Sequence, residues 1–160
     1  MAAQAQALYG VLAASGRNFV LIAPNNDPGS EAIFAVLRDL PSDRFRLIPS
    51  MRFGHFSELM KNAACMIGNS SAGVREAPFL GIASLDVGTR QHNRASAPSI
   101  RFCDAGDSAA IAGFLAQEWG RAWPRDNGFG TGRAADRFVA VLKDDGFWAR
   151  GLQKEFRDIG

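Results

Sequence analysis

The sequence has little net charge, little lysine, two cysteines and no long apolar run, and each shortage closes off a class of protein. Eighteen Lys and Arg against sixteen Asp and Glu leave a formal charge of +2. That is too small to demand a nucleic-acid partner. Lysine occurs only at Lys61, Lys143 and Lys154. The basic side chains are therefore mostly arginine, whose planar fork suits bidentate binding of phosphate or carboxylate. Cys65 and Cys103 make neither a disulfide framework nor a metal cluster. Both fall in apolar, strand-like segments and read as reduced core thiols of a cytoplasmic protein. No apolar run approaches the roughly 18 residues that span a bilayer, so no membrane is expected. Met1–Gly10 has no basic stretch ahead of an apolar core, which argues against a secretory signal. His55 and His92 are far apart and in no ligand spacing, so neither a metal nor a cofactor is expected.

What is present is a chain of 160 residues, 47% hydrophobic and 21% charged, values typical of a globular domain. At this length one core buries about two-thirds of the unfolded surface. Helical spacing and caps predict helices over Met1–Ser15 (Gly16 as C-cap), about 30–40 (capped by Asp27 or Ser30), Phe56–Ala64, about 72–80, and Asp107 to about Trp119. Two more are expected near the end. Thr131–Lys143 would turn Ala135, Phe138, Val139 and Leu142 inward, and Phe147–Asp158 is shorter. Short apolar runs predict buried strands at Asn18–Ala23, Phe45–Pro49, Cys65–Gly68, Ile82–Val87 and Ile100–Cys103. Trp119, Trp123, Phe129 and Phe138 are expected to pack the C-terminal helices. Strands alternating with helices of about ten residues imply βαβ units, and so an α/β, Rossmann-like, doubly wound parallel sheet. We expect residues 1–145 to form it and 146–160 to be its helical tail. Ligands of such sheets bind at the carboxyl ends of the strands, which selects the loops 24–30, 49–55, 69–73 and 88–94.

The sharpest of these is Gly68-Asn69-Ser70-Ser71-Ala72-Gly73, which leaves a strand and opens a helix. A helix start offers unpaired N–H groups to a phosphate, and two serines add hydroxyl donors. A plain serine N-cap with two convenient glycines explains the spacing as well, since it is neither a P-loop nor a dinucleotide fingerprint. Glu76, a turn further on, could accept both hydroxyls of a ribose or simply complement the helix dipole. Asn25, Asn26 and Asp27 could meet a ligand or form an Asx turn before Pro28. Arg90 and Gln91 follow the fourth strand, where Arg90 could neutralise a phosphate; Arg94 is a weaker candidate. Asp86, the one acid at a strand end, could do proton chemistry, but it reads rather as a loop-facing structural acid. No Ser/His/Asp or Cys/His constellation is legible, and no catalytic residue is assigned.

Three segments, Pro24 to Ser30, Cys65-Met66-Ile67-Gly68-Asn69-Ser70-Ser71-Ala72-Gly73-Val74-Arg75-Glu76 and Val87-Gly88-Thr89-Arg90-Gln91, occur together in a known pattern. The sequence resembles the C-terminal half of UDP-N-acetylglucosamine 2-epimerases, most closely the hydrolysing type, over about residues 5–145. The resemblance implies one half of a two-domain GT-B fold that holds the UDP of a UDP-sugar. It puts the diphosphate at Ser70 and Ser71 and the ribose at Glu76, with Asn69 and Gly73 also among the substrate-binding residues. It puts the uracil near Met51 and Phe53, with Asn25, Arg90 and Gln91 completing the pocket. It also implies loss of UDP to a glycal, then hydration at C2, with proton-transferring groups in an N-terminal half outside this chain. The expected partner is therefore that catalytic domain, or a homo-oligomer. A GT-B glycosyltransferase donor domain and a non-catalytic sugar-nucleotide-binding subunit are the alternatives. Three positions depart from the family pattern: Ala83 for proline, Asp86 for asparagine and Asn93 for glycine.

Overall fold

The computed structural model describes residues 2–24, 28–151 and 153. They fall into two compact units, 1–128 and 129–160.

In the first unit the chain runs α1 (Ala2–Ala14), β1 (Phe19–Ile22), α2 (Ser30–Arg38), β2 (Phe45–Ile48), α3 (Phe53–Lys61) and β3 (Met66–Gly68). It continues through a 3-10 turn (Ser71–Gly73), α4 (Glu76–Leu80), β4 (Ser84–Val87), β5 (Ile100–Cys103) and α5 (Ser108–Glu118). Every strand pairing is parallel: β1 with β2, and β3–β4–β5 with β4 central. The two ladders share one core. Leu12 of α1, Phe45 of β2, Leu85 and Val87 of β4, and Ile111, Phe114 and Leu115 of α5 are buried together, with Phe19, Leu21 and Ile67 packed against them. Phe19 and Phe45 stack at 5.3 Å between ring centroids.

A strand presents successive side chains to opposite faces, and β3 shows it. Cys65 and Ile67 join the α1/α5 core, while Met66 joins Met60 of α3 and Ala77 of α4 in a second cluster. Helices therefore cover both faces, which makes the unit α/β and Rossmann-like. The cover is uneven. Asn18–Ala23 reads as a fully buried strand, yet Val20 and Ile22 are exposed on one face of β1. Only β4 is buried throughout.

Most sequence boundaries hold within two or three residues, and Asp107 caps α5 by accepting from the Ala110 N–H at 2.9 Å. The helix expected over 72–80 is instead broken into the 3-10 turn and α4. Pro78 supplies no N–H to the Val74 carbonyl, so that helical bond cannot bridge the break. The helix preceding β2 is capped by Gly29, not Ser30, and Asp27 lies outside the described residues.

Glu118 ties the end of this unit together. Its buried carboxylate accepts from Arg101 Nη2 at 2.8 Å and Trp123 Nε1 at 3.1 Å, with Arg121 Nη1 at 3.5 Å. Trp119 and Trp123 thus pack into this core, contrary to the expected C-terminal aromatic cluster. In the second unit, α6 (Ala134–Leu142) and α7 (Asp145–Trp148) form, and none of their residues is buried. Phe138, Val139 and Leu142 are exposed rather than inward, and so is Phe129. Of the terminal helix expected over Phe147–Asp158, only Phe147 and Trp148 are helical among the described residues, and half of the span lies outside them. Among the described residues no helix is long and apolar enough to cross a membrane.

Candidate functional site

Asn69, Ser70, Ser71, Gly73, Glu76, Arg90 and Gln91 follow the carboxyl ends of β3 and β4. β3 ends on Gly68, whose φ of +148° is a backbone that L side chains rarely adopt. The chain then turns over the sheet edge. Ser70 takes an extended conformation and caps the 3-10 turn, its Oγ accepting from the Ala72 N–H at 3.3 Å. A hydroxyl that accepts still has its own proton to donate. Asn69, Ser70 and Ser71 are exposed at the edge.

Beneath them the fit is close. Ala72, Gly73 and Val74 are buried. A Cβ added at Gly73 would sit 2.7 Å from Ser84 Oγ. Glycine is needed there so that the turn can lie directly on β4. Glu76, in the first turn of α4, is half-buried, and its Oε2 is buried with no hydrogen-bond partner among the described residues.

The loop after β4 folds back over this turn. Gln91 is 1% exposed. Its Nε2 donates to the Asn69 carbonyl at 2.9 Å, and its Oε1 accepts from Arg94 Nη1 at 2.9 Å. Both ends of the amide are committed, so Gln91 acts here as a strut between 88–94 and 69–70. Ala97 buries against Val74 and Ile100 and fixes the other end of the loop. Asn93 has φ +59°; this left-handed conformation suits glycine, and asparagine is among the few other residues that tolerate it. Arg90 is exposed at the same edge.

Met51 is half-buried in the segment after β2, and Phe53 opens α3 with 68% of its surface exposed. No bond joins either to the 69–76 turn among the described residues. Asn25 lies outside the described residues, as do Asn26 and Asp27.

Asp86 departs from its expected place as a loop-facing acid. It is 1% exposed. The run Ala83-Ser84-Leu85-Asp86-Val87 alternates small or apolar with polar. Ala83, Leu85 and Val87 face the α1/α5 core, so Ser84 and Asp86 face the turn. That period of two was the available signal. Burial pushes the Asp86 carboxyl above the ordinary carboxylate range, and the nearby His92 imidazole acts against that rise. The thiols lie deeper: Cys65 is pushed up to about 12 by burial. Among the described residues no three His, Cys, Asp or Glu side chains are placed to hold a metal ion.

The edge thus offers hydroxyls, an amide side chain and a guanidinium to an anion, with an unpartnered carboxylate oxygen one turn away. A family model described as UDP-N-acetylglucosamine 2-epimerase matches residues 1–143.

The chain belongs to the UDP-N-acetylglucosamine 2-epimerase family.

A UDP-N-acetylglucosamine 2-epimerase of Neisseria meningitidis serogroup B is 41% identical over 155 residues, which is 94% of this chain and 41% of that protein. A UDP-N,N'-diacetylbacillosamine 2-epimerase (hydrolyzing) of Legionella pneumophila is 25% identical over 88% of this chain and 37% of its own length. Polysialic acid biosynthesis protein P7 of Escherichia coli is 32% identical over 84 residues, 52% of this chain and 22% of its own length. The chain therefore spans about two-fifths of the length of the first two relatives. The matched region of the family takes in the whole 68–76 turn and the loop that clasps it.

Proposed function

We propose that this chain is the UDP-holding part of a hydrolysing UDP-N-acetylhexosamine 2-epimerase, one Rossmann-like half of a GT-B architecture. The observation that carries the reading is the exposed Ser70–Ser71 turn within a family whose name specifies a UDP-sugar. The diphosphate is received by the Ser70 and Ser71 hydroxyls and the Asn69 amide, with the Arg90 guanidinium offsetting its charge. Gln91 keeps Asn69 in place from below. The lone Oε2 of Glu76 accepts from the ribose hydroxyls, which would end its isolation; a buried oxygen without a donor is costly. Met51 and Phe53 supply backbone and ring surface for the uracil, and Asn25 closes the pocket.

The chemistry in this reading begins with loss of a proton from C2 and cleavage of the C1–O bond, which releases UDP and leaves a glycal. Water then adds, hydroxide at C1 and a proton at C2 from the opposite face, giving the inverted free sugar. The groups that move these protons must reach the sugar within hydrogen-bond distance. They are assigned to an N-terminal catalytic half or to a partner copy. The hydrolysing assignment draws on the name of the Legionella relative. Free thiols and a nucleotide-sugar substrate fit a cytoplasmic setting.

Calorimetry with UDP tests the binding role. The chain should bind, and Glu76→Ala should bind roughly ten- to a hundredfold more weakly, the loss of hydrogen bonds to a charged acceptor. Absence of heat at millimolar UDP would overturn the assignment. Mixing the chain with a relative's separately expressed N-terminal half, and following UDP release, separates an epimerase half from a non-catalytic subunit. Turnover supports the first; intact binding with persistent inactivity supports the second.

A further inference from the structure

Asp86 is a buried acid with no role in the reading above. It sits at the carboxyl end of the central strand, register-paired with Gly68 on one side and Phe102 on the other. Gly68 has no side chain to cover it. On this face of the sheet Gly73 lies against Ser84, two residues before Asp86, and His92 of the 88–98 loop lies near Asp86 itself; the segments 69–75 and 88–98 are joined by the Gln91–Asn69 bond and the Val74–Ala97 contact. Both Asp86 oxygens are buried, and neither has a hydrogen-bond partner among the described residues. A buried carboxylate with no donor is among the most costly arrangements in a fold; the neutral acid is far cheaper.

We propose that Asp86 is a positioning residue: held uncharged beneath Gly68–Ser70 and the 88–94 loop, it lets these segments close on one another, and its ionisation loosens them and repels an anion seated above.

The surroundings agree. Burial favours the neutral acid, and only His92, on the loop, opposes it. His92 is itself held by an edge-on contact with Phe102, 5.6 Å between centroids. On β5 the Cys103 thiol is pushed up first by burial and then by the carboxylates Asp107, Asp104 and Asp86. Met66–Ser70 carries no titratable side chain, and the following segment carries Arg75 and Glu76. On the loop, Arg94 is bonded to Gln91 and Arg90 is exposed. No lysine or arginine is paired with the Asp86 carboxylate among the described residues.

The ligand half of this inference rests on UDP binding at the turn; the positional half does not. The test is therefore in two parts. In wild-type protein, carbon NMR of the aspartate carboxyls, with Asp86 assigned by its absence in Asp86→Asn, is followed from about pH 4 to about pH 8. Asp86 should stay protonated after the other aspartates have ionised. The amides of Gly68, Asn69, Gln91 and His92 should shift with it, and D86N should abolish that movement. The proposal is overturned if Asp86 ionises with the rest, or if those amides ignore its titration. In the second part, UDP affinity of wild type should fall roughly five- to tenfold as Asp86 ionises, the effect of one buried like charge nearby. D86N should not show the fall. A wild-type affinity that is flat through the titration overturns the repulsion. If neither protein binds UDP while the amides still follow Asp86, the nucleotide assignment fails and the positioning role stands.

Discussion

Gly73→Ala is the perturbation that most sharply probes how the turn is seated on the sheet. The added Cβ would meet Ser84 Oγ at 2.7 Å, well inside ordinary van der Waals contact. Ser84 is 1% exposed on the central strand β4, with β3 and β5 on either side. Its Cβ cannot retreat, and only rotation of the hydroxyl or a lift of the turn relieves the clash. Overpacking of this size costs about 1–3 kcal/mol. Alanine's backbone preference over glycine offsets a small part of that, since Gly73 lies in a 3-10 turn and not in a helix interior. The net loss should be about 1–2 kcal/mol, or about 2–8 °C in Tm for a chain of this size. Ser84→Ala alone should be near neutral, because the Oγ it removes is buried and unpartnered. The double variant should recover most of the loss, giving a coupling energy of about 1 kcal/mol in a denaturation cycle. Equal stability of Gly73→Ala and wild type, or a double variant no better than Gly73→Ala, would refute the close-seating argument.

Three further outcomes are expected. Glu118→Ala should cost about 1–3 kcal/mol, because Trp123 Nε1 loses its acceptor and two guanidiniums lose their anchor; urea denaturation reads it, and Glu118→Gln should cost less. Gln91→Ala should speed amide hydrogen exchange over 69–73 and cost about 1–2 kcal/mol, since it removes the strut to the Asn69 carbonyl. Because the folded-state pKa of Asp86 is raised, the fold binds that proton more tightly than the unfolded chain. Its contribution is complete below about pH 4 and is lost as pH rises through the folded value, at up to about 1.4 kcal/mol per pH unit. Denaturation over a pH series should show that decline in wild type and not in Asp86→Asn.

Much of the fold was legible because local signals agreed. The five apolar runs became five strands, paired in parallel within a two-stranded and a three-stranded ladder, and Asp107 capped its helix through its own side chain. The turn at Asn69–Gly73 was legible for the same reason, with Ser70 capping as its residue type favours. Long-range packing was less so. Nothing local to Gln91 marks it as a buried strut, because its partner lies 22 residues away at Asn69. Nothing local to Gly73 marks the atom that demands glycine there, which belongs to Ser84 of β4. The apolar stripe of α6 was read as inward because periodicity locates a face and not what covers it; Phe138 remains 64% exposed. Asp86 was misplaced because an acid at a strand end normally faces solvent, and only the alternation along β4 argued otherwise.

In the proposed function the Asn69–Gly73 turn receives the diphosphate of a UDP-sugar. Backbone amide shifts recorded during a UDP titration test it most directly. The amides of Ser70, Ser71 and Ala72 should move with a common saturating dependence on UDP, and Glu76→Ala should weaken that dependence. Shifts confined to residues outside this turn and the 88–94 loop, or none at millimolar UDP, would contradict it.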